Sequence, residues 1–311
     1  MVHSVLYGSK ERGSFTLVWL MLFIVLFTRC SSGVSEEVCE ECNYIEEAFG
    51  IIQTEVLNPT HLNLDSLKAD LTSRIDTTTT RDSIHIWLHA ALQRIHPHSS
   101  LIGPAQFTRI IEDPATPEIW GMKLADGRAY VYVGPCAAID STNANLYTDS
   151  LQKIVVQLYR SDPISWVLDL RENTGGNMYA MIAGLGPFFG EGPLGFDMGK
   201  IKEPWYYKQR DTEGKWEYIT LSDSIYEFEN KLPLECLVSE STGSAGEALA
   251  ISLLTYPNMR LTGTPTYGFT SGNEMFFLSD SACLNLTTSI MADYRSKPYP
   301  NGLRDDVLGW E

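Results

Sequence analysis

The sequence predicts an α/β layered core preceded by an N-terminal helical-bundle subdomain. Apolar residues between 36 and 104 recur at three- and four-residue spacings, the period of a helix, whereas beyond residue 118 short apolar runs alternate with amphipathic stretches. The composition, 44% hydrophobic and 20% charged over 311 residues, is that of a globular chain able to bury a sizeable core. Neither an internal repeat nor a low-complexity linker interrupts the pattern.

Residues 1–30 are set aside first. Lys10 and Arg12 precede an apolar run over 15–27, the length of a signal-peptide core and short for a membrane span. The segment is read as a signal peptide or membrane anchor. The following Cys30-Ser31-Ser32-Gly33 is similar to the acylated start of a bacterial lipoprotein, although Arg29 departs from the small residue expected before the Cys. Lipidation of Cys30, an uncleaved anchor and plain secretion all place the folded part outside the cytoplasm: periplasmic, membrane-anchored or secreted.

The helical subdomain, 36–104, divides into three helices. Tyr44, Ala48 and Ile51 mark the first, Leu64, Leu67 and Leu71 the second, and Ile84, Trp87, Leu88 and Leu92 the third. Asn58-Pro59-Thr60 and the Thr run at 77–80 separate them. In the core, 118–311, strands are expected at 128–133, 166–170, 234–239 and 260–262, with helices at 146–159, 179–189 and 245–255 between them. A β-pair at 275–278 and 284–288 closes the chain. Residues 190–230, rich in Trp, Tyr, Gly and charge, read as an insertion or lid.

The net charge of −16 and the lack of any basic stripe argue against a nucleic-acid partner. Six cysteines in an exported chain permit disulfides. Cys39 and Cys42 read as a local disulfide or two plain thiols, since the second half of a zinc site is missing; Cys136, Cys236 and Cys283 fall in apolar runs and are expected to be buried. His85 and His89 have metal-ligand spacing on a helix, but Ile86 stands where a zinc peptidase carries Glu, so a satisfied helix face is the plainer reading. No metal or cofactor is expected.

Chemistry concentrates at two strand-to-helix junctions. Asp169-Leu170-Arg171-Glu172-Asn173-Thr174-Gly175-Gly176-Asn177 runs from a buried strand into a Gly pair at a helix start, where unpaired N–H groups converge; it reads as an oxyanion site or as a tight turn needing positive φ. Glu240-Ser241-Thr242-Gly243-Ser244-Ala245-Gly246-Glu247 places Ser244 at a helix N-terminus. Ser244 is there either as a nucleophile with the Ala245 N–H beside it or as the N-cap of a capping box with Glu247. A nucleophilic Ser needs a base, and His96 and His98 lie in a loop free to reach the core.

These segments together resemble the C-terminal processing (tail-specific) serine peptidases and their tricorn-core relatives. That family closes a helical subdomain with D-x-H-S, carries L-D-L-R-x-N-x-G-G-N on a strand, and places its nucleophile in T-x-S-A-x-E. The counterparts are His96-Pro97-His98-Ser99, residues 168–177 and residues 242–247. The resemblance implies a crotonase/ClpP-like core with Ser244 as nucleophile. Two departures accompany it. Only about seventy residues separate the His loop from the Gly–Gly strand, too few for a PDZ domain, and Phe269 in Thr266-Tyr267-Gly268-Phe269-Thr270 occupies the place of the general-base Lys. In the tricorn-like branch a His from the helical subdomain is the base, and His98 aligns with it.

The resemblance therefore implies a serine-type endopeptidase working by acyl transfer on a peptide or unfolded-protein substrate. Ser244 and His98 are its catalytic pair, and the N–H groups of Gly176 and Ala245 form the oxyanion hole. Glu274, or the tail over 299–306, is a candidate third member orienting His98. The rival is an inactive protein of the same fold that binds a peptide or hydrophobic ligand. A crotonase-like acyl-CoA enzyme is a more distant reading, since this acidic chain offers no basic surface for the nucleotide.

Overall fold

The computed structural model describes residues 39–58, 60–112, 118–210, 216–218, 226–304 and 307. The expected export segment and Cys30 lie outside the described residues, as do parts of the 190–230 stretch.

Three helices open the chain: α1 (Glu40–Glu55), α2 (Leu64–Thr72) and α3 (Arg81–Ile95). Each starts on a side-chain cap, from Cys39, Asn63 and Thr80 respectively, which satisfies an N–H group the first turn would leave unpaired. Cys39 is disulfide-bonded to Cys42, so the C-x-x-C is a local staple at the start of α1. Two short elements follow that the periodicity does not announce, β1 (Ser100–Ile102) and α4 (Pro104–Glu112).

The second part is built on a five-stranded sheet. Its strands are β2 (Ile119–Lys123), β3 (Ala129–Val133), β4 (Trp166–Asp169), β9 (Leu234–Val238) and β10 (Met259–Gly263), in the order β10-β9-β4-β3-β2. All neighbours run parallel except the β2/β3 pair. Every residue of β4 is buried, as a central parallel strand requires. Helices α5 (Ser141–Tyr159), α6 (Met178–Gly184) and α7 (Ala245–Leu253) pack their apolar sides into the main core, with Tyr147, Leu151, Met181 and Leu249 among the buried residues.

A second, antiparallel sheet contains β1, β5 (Pro193–Met198), β6 (Lys202–Tyr206), β11 (Ser271–Phe277) and β12 (Cys283–Asp293). The long β12 is its spine, pairing with β1, β11 and β5. Within residues 193–206, β5 pairs with β12 and β6 pairs with β5, so both belong to this sheet. The sequence obscures this because Pro193, Gly195 and Pro204 break the period-two alternation. A small pair, β7 (Lys208–Arg210) and β8 (Trp216–Tyr218), extends from it in sequence. Cys136, Cys236 and Cys283 are free and buried.

The three helices do not bury their faces on one another alone. Leu278, Ala282, Leu284 and Leu286 from β12 and the turn before it join Ile45, Phe49, Leu88 and Leu92 in one apolar cluster. The Tyr44 hydroxyl and the His85 ring both bond Asp280 in that turn, at 2.9 and 2.8 Å. No helix among the described residues is long and apolar enough to cross a membrane. Because Leu284 is wholly buried in this shared cluster, Leu284→Ala should lower the unfolding free energy by about 2–5 kcal/mol. Urea denaturation checks this, and a loss below about 1 kcal/mol would show that the helices are stable without the sheet.

Candidate active site

Parallel pairing of β4 with β9 brings the two chemistry-bearing junctions side by side, since Asp169 lies opposite Leu237 at the carboxyl ends of the strands. Such ends are where open α/β sheets bind their ligands. Asn173, fully buried, joins the junctions. Its amide nitrogen donates to the carbonyls of Val133 and Gly134 at 3.0 and 3.1 Å, its side-chain oxygen accepts the Gly175 N–H at 3.0 Å, and its carbonyl accepts the Gly243 N–H at 3.0 Å. Thr242 adds a second tie through its hydroxyl, which donates to the Leu170 carbonyl at 2.8 Å.

Gly175 and Gly176 have φ of +114° and +112°, as a tight turn that needs glycine requires. A β-carbon at 175 would stand 2.8 Å from the Ser244 β-carbon and 3.1 Å from the Ala245 nitrogen. One at 176 would overlap the Cys136 carbonyl. Glycine is needed because the two turns touch. Among the described residues, the N–H groups of Gly176 and Ala245 have no hydrogen-bond partner.

Ser244 sits at the N-cap of α7 with φ 51° and ψ −118°, a conformation costing about 1–3 kcal/mol for a residue with a β-carbon. Surrounding bonds hold it there. The Glu247 carboxylate, fully buried, accepts the Ser244 N–H at 3.0 Å with one oxygen; the other accepts from the Thr266 hydroxyl at 2.5 Å and the Gly268 N–H at 2.9 Å. Burial pushes the Glu247 carboxyl above its ordinary pKa while these donors pull it back. Glu247 therefore provides the carboxylate half of a capping box and also ties the Ser244 turn to the 266–269 segment.

That segment carries Phe269, and the His98 ring lies flat on it, with centroids 4.4 Å apart and planes 17° from parallel. The residue in place of the family's Lys is thus a platform for the imidazole. His98 Nδ1 lies 2.8 Å from the Ser271 hydroxyl, and its carbonyl accepts from the Asn273 amide at 2.8 Å. Burial, reinforced by nearby His96, lowers the His98 pKa to about 4, so the ring is neutral at physiological pH.

His98, Ser244, Ala245 and Gly176 all line one cleft of about 620 Å³, together with Asn177, Met178, Cys136 and Asp197. Burial, with the charges of Glu203 and Glu274 adding to it, raises the Asp197 pKa. Among the described residues no hydrogen bond joins Ser244 to His98, although both line the cleft. Asp169, at the end of β4, pairs with Arg171. Burial alone would raise the Asp169 pKa, but bonds from Arg171 and Tyr130 outweigh it and hold the carboxyl below its ordinary range.

Glu274 is placed elsewhere. Its carboxylate accepts from the Thr288 hydroxyl at 2.8 Å and lines a neighbouring cavity with Glu203 and Lys200, while Ser271 stands at His98. In the tail, Tyr299 packs under the 266–270 segment, its carbonyl accepting from the Thr270 hydroxyl; Asp305 and Asp306 lie outside the described residues. His85 is engaged by Asp280 and Tyr44, and His89 accepts the Leu101 N–H. Among the described residues no group of three His, Cys, Asp or Glu side chains could hold a metal ion. Sequence reasoning misses Ser271, Asn273 and the stacking role of Phe269, because each acts through a contact made across more than one hundred residues.

Known proteins resemble this chain in sequence and in fold. The chain is 25% identical over 178 residues to the nisin-resistance protein of Lactococcus lactis subsp. lactis; the match spans 57% of this chain and about half, 54%, of that relative. In fold it is similar to a lipoprotein from Streptococcus agalactiae (TM-score 0.72, 22% identity, 86% of this chain and 92% of the other). It is also similar to the photosystem II D1 C-terminal processing protease (TM-score 0.58, 14% identity, 88% and 94%). Residues 136–307, more than half of the chain and including both junctions, match the description of peptidase family S41. The chain belongs to peptidase family S41, a family of serine-type peptidases.

Proposed function

We propose that the chain is an exported serine endopeptidase in which Ser244 is the nucleophile and His98 the general base. The observation that carries this reading is the shared cleft. A serine held in strained backbone at a helix start, a neutral imidazole with one nitrogen already engaged, and two unpartnered N–H groups all line the same cavity. His98 Nε2 takes the Ser244 proton as Oγ attacks the peptide carbonyl. The carbonyl oxygen becomes an oxyanion held by Gly176 and Ala245, each donor contributing about 3 kcal/mol of barrier lowering. The proton passes to the leaving amine, and water, deprotonated by the same ring, releases the acyl group.

Substrate is bound by the cleft itself, without a PDZ module. The described residues between His98 and β4 form β1, α4, β2, β3 and α5 with short connections. Export rests on the basic residues before the apolar 15–27 run. A lipoprotein and a nisin-resistance protein among the similar proteins support a site of action outside the cytoplasm, with the N-terminus or Cys30 as the means of membrane attachment.

A fluorophosphonate probe should label wild-type protein at Ser244 and fail on Ser244→Ala and His98→Ala, with peptide-library hydrolysis lost in parallel. Labelling that survives His98→Ala unchanged would remove the imidazole from the mechanism. The pH profile carries a separate expectation. With the His98 pKa at about 4, the base is neutral above that value and is lost as pH falls through it. kcat/KM on an uncharged peptide should fall tenfold per pH unit below about 4 and be level from about 5 to 7. An acid limb centred near the ordinary His value of about 6.5 would show that the ring is solvated in the working enzyme.

A further inference from the structure

The imidazole of His98 is fixed by contacts that no charged residue supplies. Its face rests on Phe269, which sets the ring plane, and one edge meets the Ser271 hydroxyl 2.8 Å from Nδ1, which sets rotation within that plane. Ser271 is itself immobile. It is the first residue of β11, 3% exposed, paired in register with Ile290 of β12, and its neighbour Thr270 accepts the Met291 N–H at 3.0 Å. Among the described residues the Ser271 hydroxyl has no partner other than the ring. Among the described residues no carboxylate is hydrogen-bonded to the ring. Of the titratable groups near His98, His96 shares its loop, while Asp197, Tyr179 and Cys136 line the same cleft.

We propose that Ser271 is the positioning residue of the catalytic pair, a neutral hydroxyl that accepts Nδ1–H and so keeps Nε2 unprotonated toward Ser244. The inference rests on the peptidase reading above and assigns the third place to Ser271 in preference to Glu274. The chemistry follows from the donor and acceptor inventory. A neutral imidazole carries one N–H; if it sits on Nδ1, Nε2 holds the lone pair a base needs, and if it sits on Nε2 the ring cannot take the serine proton. A serine in this place fixes the tautomer without adding a negative charge. The base is therefore weaker than one paired with a carboxylate, and its protonated form receives only a hydroxyl's support.

Two measurements test the assignment. In 15N-histidine-labelled protein at neutral pH, the His98 signals, identified by their loss in His98→Asn, should report a proton on Nδ1; a ring protonated on Nε2 overturns the proposal. This readout needs neither turnover nor a variant at 271. In kinetics, Ser271→Ala should lower kcat by about tenfold with KM unchanged and let the two tautomers mix, and Ser271→Thr should restore both. Ser271→Asp, placing a carboxylate on Nδ1, should move the acid limb of kcat/KM upward by a pH unit or more. An unchanged kcat in Ser271→Ala, or an unmoved acid limb in a folded Ser271→Asp, would leave the hydroxyl with a merely structural part. Fluorophosphonate labelling of wild-type Ser244 separates the two levels. If it fails, the peptidase reading falls, while the tautomer measurement still decides whether Ser271 sets the ring.

Discussion

One buried carboxylate holds the site together. Glu247 accepts bonds from the backbone of Ser244 and from Thr266 and Gly268, and so fastens the turn that presents the hydroxyl to the segment that carries Phe269. Phe269 in turn supports the His98 ring. Neither end of this chain of contacts would find its place independently: the serine is strained, and the histidine comes from the loop after α3, far away in sequence. The cost of burying a carboxylate is offset by three donors, which is the condition under which a buried charge is tolerated.

A second constraint is backbone contact between the two junctions. Parallel pairing of β4 and β9 places them together, and Asn173 locks them by bonding to β3, to Gly175 and to Gly243 at once. Among the described residues the N–H groups of Gly176 and Ala245 are left without a hydrogen-bond partner, and both residues line the cleft. Under the proposed mechanism such fixed dipoles need no rearrangement during reaction.

Much of this was legible in the residues. The buried β4, the Gly pair and the small-residue approach to α7 follow from hydrophobic period and turn chemistry, and so does the capping box, in which Glu247 accepts the Ser244 backbone N–H. The strands within residues 193–206 were not legible because Pro and Gly mask their pattern; β5 joins the sheet through β12, and β6 through β5. The partner of His98 was not legible at all. Ser271 lies 173 residues away, in no motif, and only the register of β11 on β12 brings it to the ring. Glu274 attracted attention as the nearest carboxylate past Phe269, but the same strand directs it to Thr288 and an adjoining cavity.

Under the proposed mechanism, Phe269 in the place of the family's Lys goes with a change of base to His98. Phe269 could not lend a proton acceptor, yet it gives the imidazole an apolar bed that keeps it neutral. The most direct test is covalent bridging by a peptide chloromethyl ketone, whose carbonyl takes the serine oxygen as a hemiketal while its methylene alkylates the histidine nitrogen with loss of chloride. Mass spectrometry of the digested adduct should find the alkyl group on His98 in wild-type protein and not in Ser244→Ala. Alkylation of His98 that proceeds equally well without the Ser244 hydroxyl would contradict the pairing on which this account stands.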